Sequence, residues 1–246
     1  MTTGAPILVV GGTRGTGLII VRLLRSRGCG VRVLARNPDR ARQSLDPSVE
    51  VVAGDITRPE TLARTIDGAS DIIFTAGVRS GRPASESRVK ATEYDGVVHT
   101  LTAARHAGFS GRFLYMTSSG VGTHSFATFA LNLYKGNTLR WRANAEDRIR
   151  SSGLDYTIVR TGVLVNGPAG RRAVVVTQEP LPLSFRHWIA RADVAEAFVA
   201  ALHHPRASRA TFEVVWGKGR GREAWPPLLD RLVPDGACDT AQRSAR

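Results

Sequence analysis

Apolar residues along this chain gather in short runs separated by amphipathic stretches, the alternation that builds a parallel sheet covered by helices on both faces. The runs Ile7 to Val10, Val31 to Leu34, Val49 to Ala53, Asp71 to Phe74, Arg112 to Met116 and Tyr156 to Val159 predict six strands. Between the first two, Leu18, Val21 and Leu24 recur at helical spacing. Further helices are predicted from Asn37 in NPDRARQ, over TRPETLARTI with Thr57 as N-cap and Pro59 in the first turn, from about Val89 to Ala107, and near Leu133 to Ser151. Beyond Gly162 the regularity weakens, with Gly167, Pro168 and Gly170 ahead of a short strand at Ala173 to Thr177. Asp193 then opens a helix, VAEAFVAALHH, where the acid suits the positive end of the dipole. A last strand, Phe212 to Trp216, precedes a proline-interrupted segment and a frayed tail. Strand and helix in repeated succession imply right-handed crossovers and a doubly wound α/β sheet.

The stretch ILVVGGTRGTG, Ile7 to Gly17, gives this pattern its first chemistry. A strand runs into a glycine turn and then a helix. Gly11 suits a tight strand exit, Gly15 a close approach of backbone to a pyrophosphate, and Gly17 close packing of helix on strand. The amides at the helix start and the positive dipole end would receive the phosphates. The second strand ends in Ala35 and Arg36, about twenty residues on, where an NAD-binding site carries an acid for the ribose hydroxyl. Arg36, with Arg14 from the turn, could fork onto a 2′-phosphate instead, so the expected cofactor is NADP(H).

Bulk properties narrow the partners. At 246 residues, 42% hydrophobic and a mean hydropathy of −0.12, the chain suits one domain spanning 1–246. No apolar run reaches membrane-spanning length, and the first strand comes too early for a signal peptide, so the expectation is cytoplasmic with no membrane partner. A net charge of +13 invites nucleic acid. Yet the basic residues are scattered, and all but Lys90, Lys135 and Lys218 of the 34 are arginine, which reads as compositional bias; no nucleic acid is expected. Cys29 and Cys238 form neither a CxxC nor a metal cluster with histidine, so neither a disulfide framework nor a metal site is expected. Cys29 suits a small core residue, and Cys238 lies in a polar tail.

The turn GGTRGTG, Asp55 after VEVVAG, the TAG at Thr75 to Gly77, YMTSSG at Tyr115 to Gly120 and SGLDYTIVRTG at Ser152 to Gly162 together resemble the atypical short-chain dehydrogenase/reductases, in the biliverdin-reductase-like and NmrA-like NAD(P)H-binding group. The match runs from about Ile7 to Trp216. It implies a Rossmann-type core over about 6–160 with a small C-terminal substrate lobe over about 161–235. It implies cofactor contacts at Gly11, Thr13, Arg14, Gly15, Thr16, Gly17, Arg36, Asp55, Ile56, Ala76, Gly77, Thr117, Arg142, Gly162 and Val163. Asp55 would lie near the adenine, or else cap a helix. Relatives carry a Pro-Gly after the sixth strand whose backbone meets the carboxamide; here Thr161 replaces that proline.

Standard members supply a serine and a YxxxK pair on one helix face, the ammonium lowering the phenol pKa. Here the lysine position is Arg142 and the tyrosine position Thr138, while the adjacent Tyr134 and Lys135 do not share a face. Candidate catalytic residues are Ser119, which equally suits a turn-capping role, Tyr134 and Arg142. His124 could shuttle protons or sit on the surface. Phe126, Phe129 and Trp188 could line an apolar pocket or simply pack. These features suggest an NADPH-dependent reductase of a small-molecule acceptor, such as a quinone, flavin or conjugated carbonyl. A non-catalytic redox sensor or scaffold, and a cofactor-assisted isomerase, dehydratase or epimerase, are the alternatives. Either a monomer or a homodimer fits.

Overall fold

A computed structural model describes residues 4–78, 84–123, 126–184, 186–221 and 223–236. Its main sheet has eight strands in the order β3-β2-β1-β4-β5-β6-β10-β8. These are β1 (Ile7–Val10), β2 (Val31–Ala35), β3 (Glu50–Ala53), β4 (Asp71–Phe74), β5 (Arg112–Ser118), β6 (Asp155–Thr161), β8 (Arg172–Thr177) and β10 (Ala210–Arg220). All neighbours are parallel except β10 and β8. The helices are α1 (Gly15–Ser26), α2 (Pro38–Arg42), α3 (Ala63–Ile66), α4 (Glu86–Lys90), α5 (Gly96–His106), α6 (Phe126–Tyr134), α7 (Thr138–Arg150), α8 (Arg191–Ala201) and α9 (Trp225–Leu229). A separate parallel pair joins β7 (Val163–Val165) to β9 (Trp188–Ala190).

Alternation along the strands splits the core in two. Ile7 and Val9 of β1 join Ile20, Val21 and Leu24 of α1 and the apolar residues of α8 on one face. Leu8 and Val10 join Ile66 of α3, Val97 and Leu101 of α5 and Ile149 of α7 on the other. Residues buried on both faces explain why β1 reads as an unbroken apolar run. Strand order reverses between β1 and β4, and in open sheets of this kind ligands bind where that reversal opens a crevice at the carboxyl ends.

Several elements differ from expectation. The helix expected over TRPETLARTI is a 3-10 turn, Pro59–Thr61, followed by the short α3. Thr57 does not cap it, because its hydroxyl and amide both donate to Asp55. The helix expected from Val89 begins at Glu86 and passes through a π turn, Ala91–Asp95, before α5. The expected long helix is two, α6 and α7, parted where Gly136 and Asn137 take left-handed backbone at φ +55° and +58°. As expected, Asp193 lies in the first turn of α8, and it also accepts from Trp216 Nε1 at 2.9 Å and the Gly170 amide at 2.8 Å, so it anchors packing as well as suiting the dipole. The proline-interrupted segment forms α9, with its prolines in the first turn. Cys29 is half-buried against the core; Cys238, His124 and much of the loop expected from Val78 to Arg88 lie outside the described residues.

A chain of buried charge ties α7 to the sheet. Glu146, fully buried, accepts from Arg160 Nη2 at 2.6 Å and Nε at 3.1 Å and from Arg150 Nη2 at 2.8 Å. Arg150 continues to Asp235, which also accepts from Tyr156 and Thr211. Burial, and then the neighbouring Asp235 carboxylate, push the Tyr156 phenol up to about 12.

Candidate functional site

The glycine turn lies at the strand-order reversal, and each glycine has a steric reason. A Cβ on Gly17 would stand 2.3 Å from the Gly11 carbonyl oxygen, so only glycine lets α1 sit this close to β1. Gly11 has φ +89°, and its Cβ would stand 2.7 Å from the Ala76 amide nitrogen across the crevice. Gly15 has φ +55°, with nothing within 4 Å of its Cβ position, leaving space in front of the backbone. The first turn of α1 carries no acid, and Arg14 at its N-cap makes no side-chain cap. Thr16, 4% exposed, has a hydroxyl without a hydrogen-bond partner among the described residues. Thr13 is half-buried beside it.

At the adjoining carboxyl end of β2, Arg36 is exposed, as is Arg14, and neither has an ion-pair or hydrogen-bond partner among the described residues. Asp55 turns its carboxylate onto Thr57, which favours the local capping role. Ile56 packs its side chain against Gly96, and its carbonyl meets His99 Nδ1 at 2.8 Å.

On the other side of the crevice the lysine and tyrosine positions are joined by a residue that sequence reasoning missed. Glu93, on the π turn and 3% exposed, accepts from Arg142 Nε and Nη2, each at 3.0 Å, from the Val78 amide at 3.1 Å and from the Thr138 hydroxyl. Burial pushes the Glu93 carboxyl up, but the Arg142 charge and these hydrogen bonds outweigh it and hold the group below its ordinary value. Arg142 keeps its proton more firmly than usual, with burial opposing and Glu93 overcoming it. Gly77 makes room for the pair, since a Cβ there would lie 3.1 Å from Arg142 Nη2. An acid on a helix three residues past Lys90 reads as an ordinary surface charge in sequence; π turns, common at functional sites, leave no such signature.

Ser119 is 1% exposed and its hydroxyl donates to Glu213 at 2.5 Å, while its amide donates to Thr161. Burial raises the Glu213 carboxyl despite hydrogen bonds from Ser119 and the Leu181 amide. The serine hydroxyl is therefore spent inside the protein. Tyr134 is 52% exposed on α6, whose Phe126 (85%) and Phe129 (66%) also face solvent rather than line a pocket. Trp188 is half-buried in β9. The Gly162 and Val163 amides, expected near a carboxamide, are donated to Val214 and His187 instead. Gly162 is needed because a Cβ would stand 2.3 Å from the His187 carbonyl oxygen. Thr117, buried at the carboxyl end of β5, has its hydroxyl in reach of the Tyr115 phenol.

A family model described as NAD(P)H-binding matches residues 11–205. The chain belongs to this family. Among curated relatives, sanguinarine reductase of Eschscholzia californica is 28% identical over 244 residues, covering 85% of this chain and 88% of that one. Among solved structures, a Bacillus halodurans protein named as an NAD-dependent epimerase/dehydratase superposes with TM-score 0.76 at 23% identity, covering 93% of this chain and all of that one. A Veillonella parvula short-chain dehydrogenase/reductase in complex with NADP superposes with TM-score 0.66 at 17% identity, covering 86% and 94%. The fold and the dinucleotide-binding character expected from sequence both hold.

The residues present fit a dinucleotide. The open space before Gly15, the acid-free start of α1 and the unpaired Thr16 hydroxyl suit a pyrophosphate. Arg142 stands beside Gly77 past the end of β4, and Thr117 lies at the carboxyl end of the neighbouring β5.

Proposed function

We propose that this protein is an NADPH-dependent reductase of a small organic acceptor, a quinone, flavin or conjugated carbonyl, that needs little help with protonation. One observation carries the reading. The groups at the standard serine, tyrosine and lysine positions are drawn into the protein's own contacts: Ser119 to Glu213, Thr138 to Glu93, and Arg142 paired with Glu93 through Nε and Nη2. Glu93 opposes the pull that the Arg142 charge exerts on a neighbouring phenol, as it does at buried Tyr115, and there is no phenol at Thr138 to lower. Bound NADPH would supply the hydride; the protein supplies orientation and a dry, preorganised set of dipoles. Arg14 and Arg36, exposed and unpaired beside the first two strands, favour the phosphorylated cofactor through charge-assisted hydrogen bonds.

The name of sanguinarine reductase supports a reductase over an epimerase, whereas the likeness to the epimerase/dehydratase-named structure bears on the fold alone. The same committed donors also favour, as the second reading, a cofactor sensor that does not turn over. Steady NADPH oxidation at 340 nm with a panel of quinones, flavins and enones decides between them. Turnover with at least one acceptor supports the reductase; tight binding with no oxidation across the panel contradicts it.

A further inference from the structure

The dinucleotide reading assigns Arg142 to the cofactor without saying what aims it. Arg142 comes from the first turns of α7, while the backbone it must serve, Ala76 to Val78, follows β4. Glu93, from a third element, touches both. Its Oε2 accepts from Arg142 Nε and Thr138 Oγ1; its Oε1 accepts from Arg142 Nη2 and the Val78 amide. Two donors on each oxygen saturate a carboxylate, so this group has no lone pair left to act as a base, and its charge is fully used. The fork fixes the guanidinium plane, which a flexible arginine would otherwise have to order on binding. Nη1 and the second Nη2 hydrogen are left without a hydrogen-bond partner among the described residues.

We propose that Glu93 is a positioning residue: it clamps Arg142 against the Gly77–Val78 backbone so that the free Nη1 edge meets the hydroxyls of the nicotinamide ribose. The proposal rests on the dinucleotide reading of the site. Thr138 belongs to this clamp rather than being the remnant of a lost acid. The short hydroxyl at the tyrosine position reaches Glu93, and the guanidinium at the lysine position needs that carboxylate to hold it.

The test is a fluorescence titration with NADPH of the wild type, Glu93→Gln, Arg142→Gln and the double variant, each also titrated with 2′,5′-ADP, which lacks the nicotinamide ribose, and melted without nucleotide. Positioning predicts that Glu93→Gln weakens NADPH about tenfold while 2′,5′-ADP binding stays unchanged, and that the double variant is no weaker than Arg142→Gln alone. Equal loss of both ligands, additive losses, or a lowered melting temperature with unchanged NADPH affinity overturns it. Should Glu93→Gln not fold, Thr138→Val removes one donor only: a loss of about threefold confined to NADPH supports the clamp, and unchanged affinity overturns it. A wild type that binds 2′,5′-ADP and NADPH alike, with no variant effect, removes the clamp and leaves the dinucleotide site standing; a wild type that binds neither removes both.

Discussion

Gly15 and Gly17 lie two residues apart in one turn, yet adding a methyl to each should injure different properties. At Gly17 the new Cβ would be 2.3 Å from the Gly11 carbonyl oxygen and 2.5 Å from Thr75 Oγ1. The first is backbone at the end of β1 and cannot yield without moving the strand, so α1 must lift from the sheet. Overpacking of this kind costs about 1–3 kcal/mol, and more when the obstruction is backbone. In a chain of this size that lowers the melting temperature by roughly 2–4 °C per kcal/mol. At Gly15 the Cβ meets nothing within 4 Å, so the only cost to the fold is holding alanine at φ +55°, about 1–2 kcal/mol. That methyl instead fills the space where the pyrophosphate must approach the backbone. Gly15→Ala should therefore lose NADPH binding by a factor well above its loss of stability, on the order of a hundredfold in Kd, equal to about 2.7 kcal/mol. Gly17→Ala should lose both. Thermal melts and NADPH fluorescence titrations on the two variants measure each. Wild-type NADPH affinity in Gly15→Ala would refute the placement of the phosphates, and wild-type stability in Gly17→Ala would refute the helix–strand contact.

Three further outcomes follow from the same structure. Glu146→Ala leaves Arg150 and Arg160 without the carboxylate they share, and stability should drop by about 3–5 kcal/mol in urea titration; a loss under about 1 kcal/mol would mean that the buried pairs are solvated. Phe126→Ser and Phe129→Ser change side chains that already face solvent, so urea midpoints should stay within about 0.5 kcal/mol of wild type, and a larger drop would show them to be core. Because burial holds Glu213 above its ordinary 4.5, the folded chain keeps a proton that the unfolded chain has released in the window just above that value. Stability from this group therefore falls as pH rises through that window and is level beyond it; Glu213→Gln should flatten this part of the pH profile, and an unchanged slope would contradict the assignment.

The legible parts of this molecule were those where one residue's chemistry is local. The β1 run is apolar on both faces because both faces are covered, and Gly11, Gly15 and Gly17 stand out in sequence as one strand-turn-helix spacing, although the obstruction at Gly11 comes from Thr75 and Ala76 across the sheet and Gly15 answers to its positive φ. The place of Arg36 at the carboxyl end of β2 was equally legible, standing at a fixed distance past the turn. The rest depended on contacts across the sheet. Glu93 meets Arg142 from 49 positions away, and Ser119 meets Glu213 from 94, distances over which periodicity carries no information. The serine therefore matched a catalytic position while its proton went elsewhere. The break between α6 and α7 hinges on Gly136, where a Cβ would press on the Ala84 carbonyl and on Glu86, a tertiary cause within an otherwise helical pattern. The steric need for glycine at Gly162 likewise comes from the close passage of the His187 carbonyl, which sequence alone does not show.

The most direct test of the account is a titration of the purified protein with NADPH, NADP+, NADH and NAD+, repeated on Arg36→Ala. The phosphorylated pair should bind at least about tenfold tighter than the unphosphorylated pair, about 1.4 kcal/mol, and this preference should collapse in the variant while NADH binding is kept. Equal affinity for all four, or a preference that survives the loss of Arg36, would contradict it.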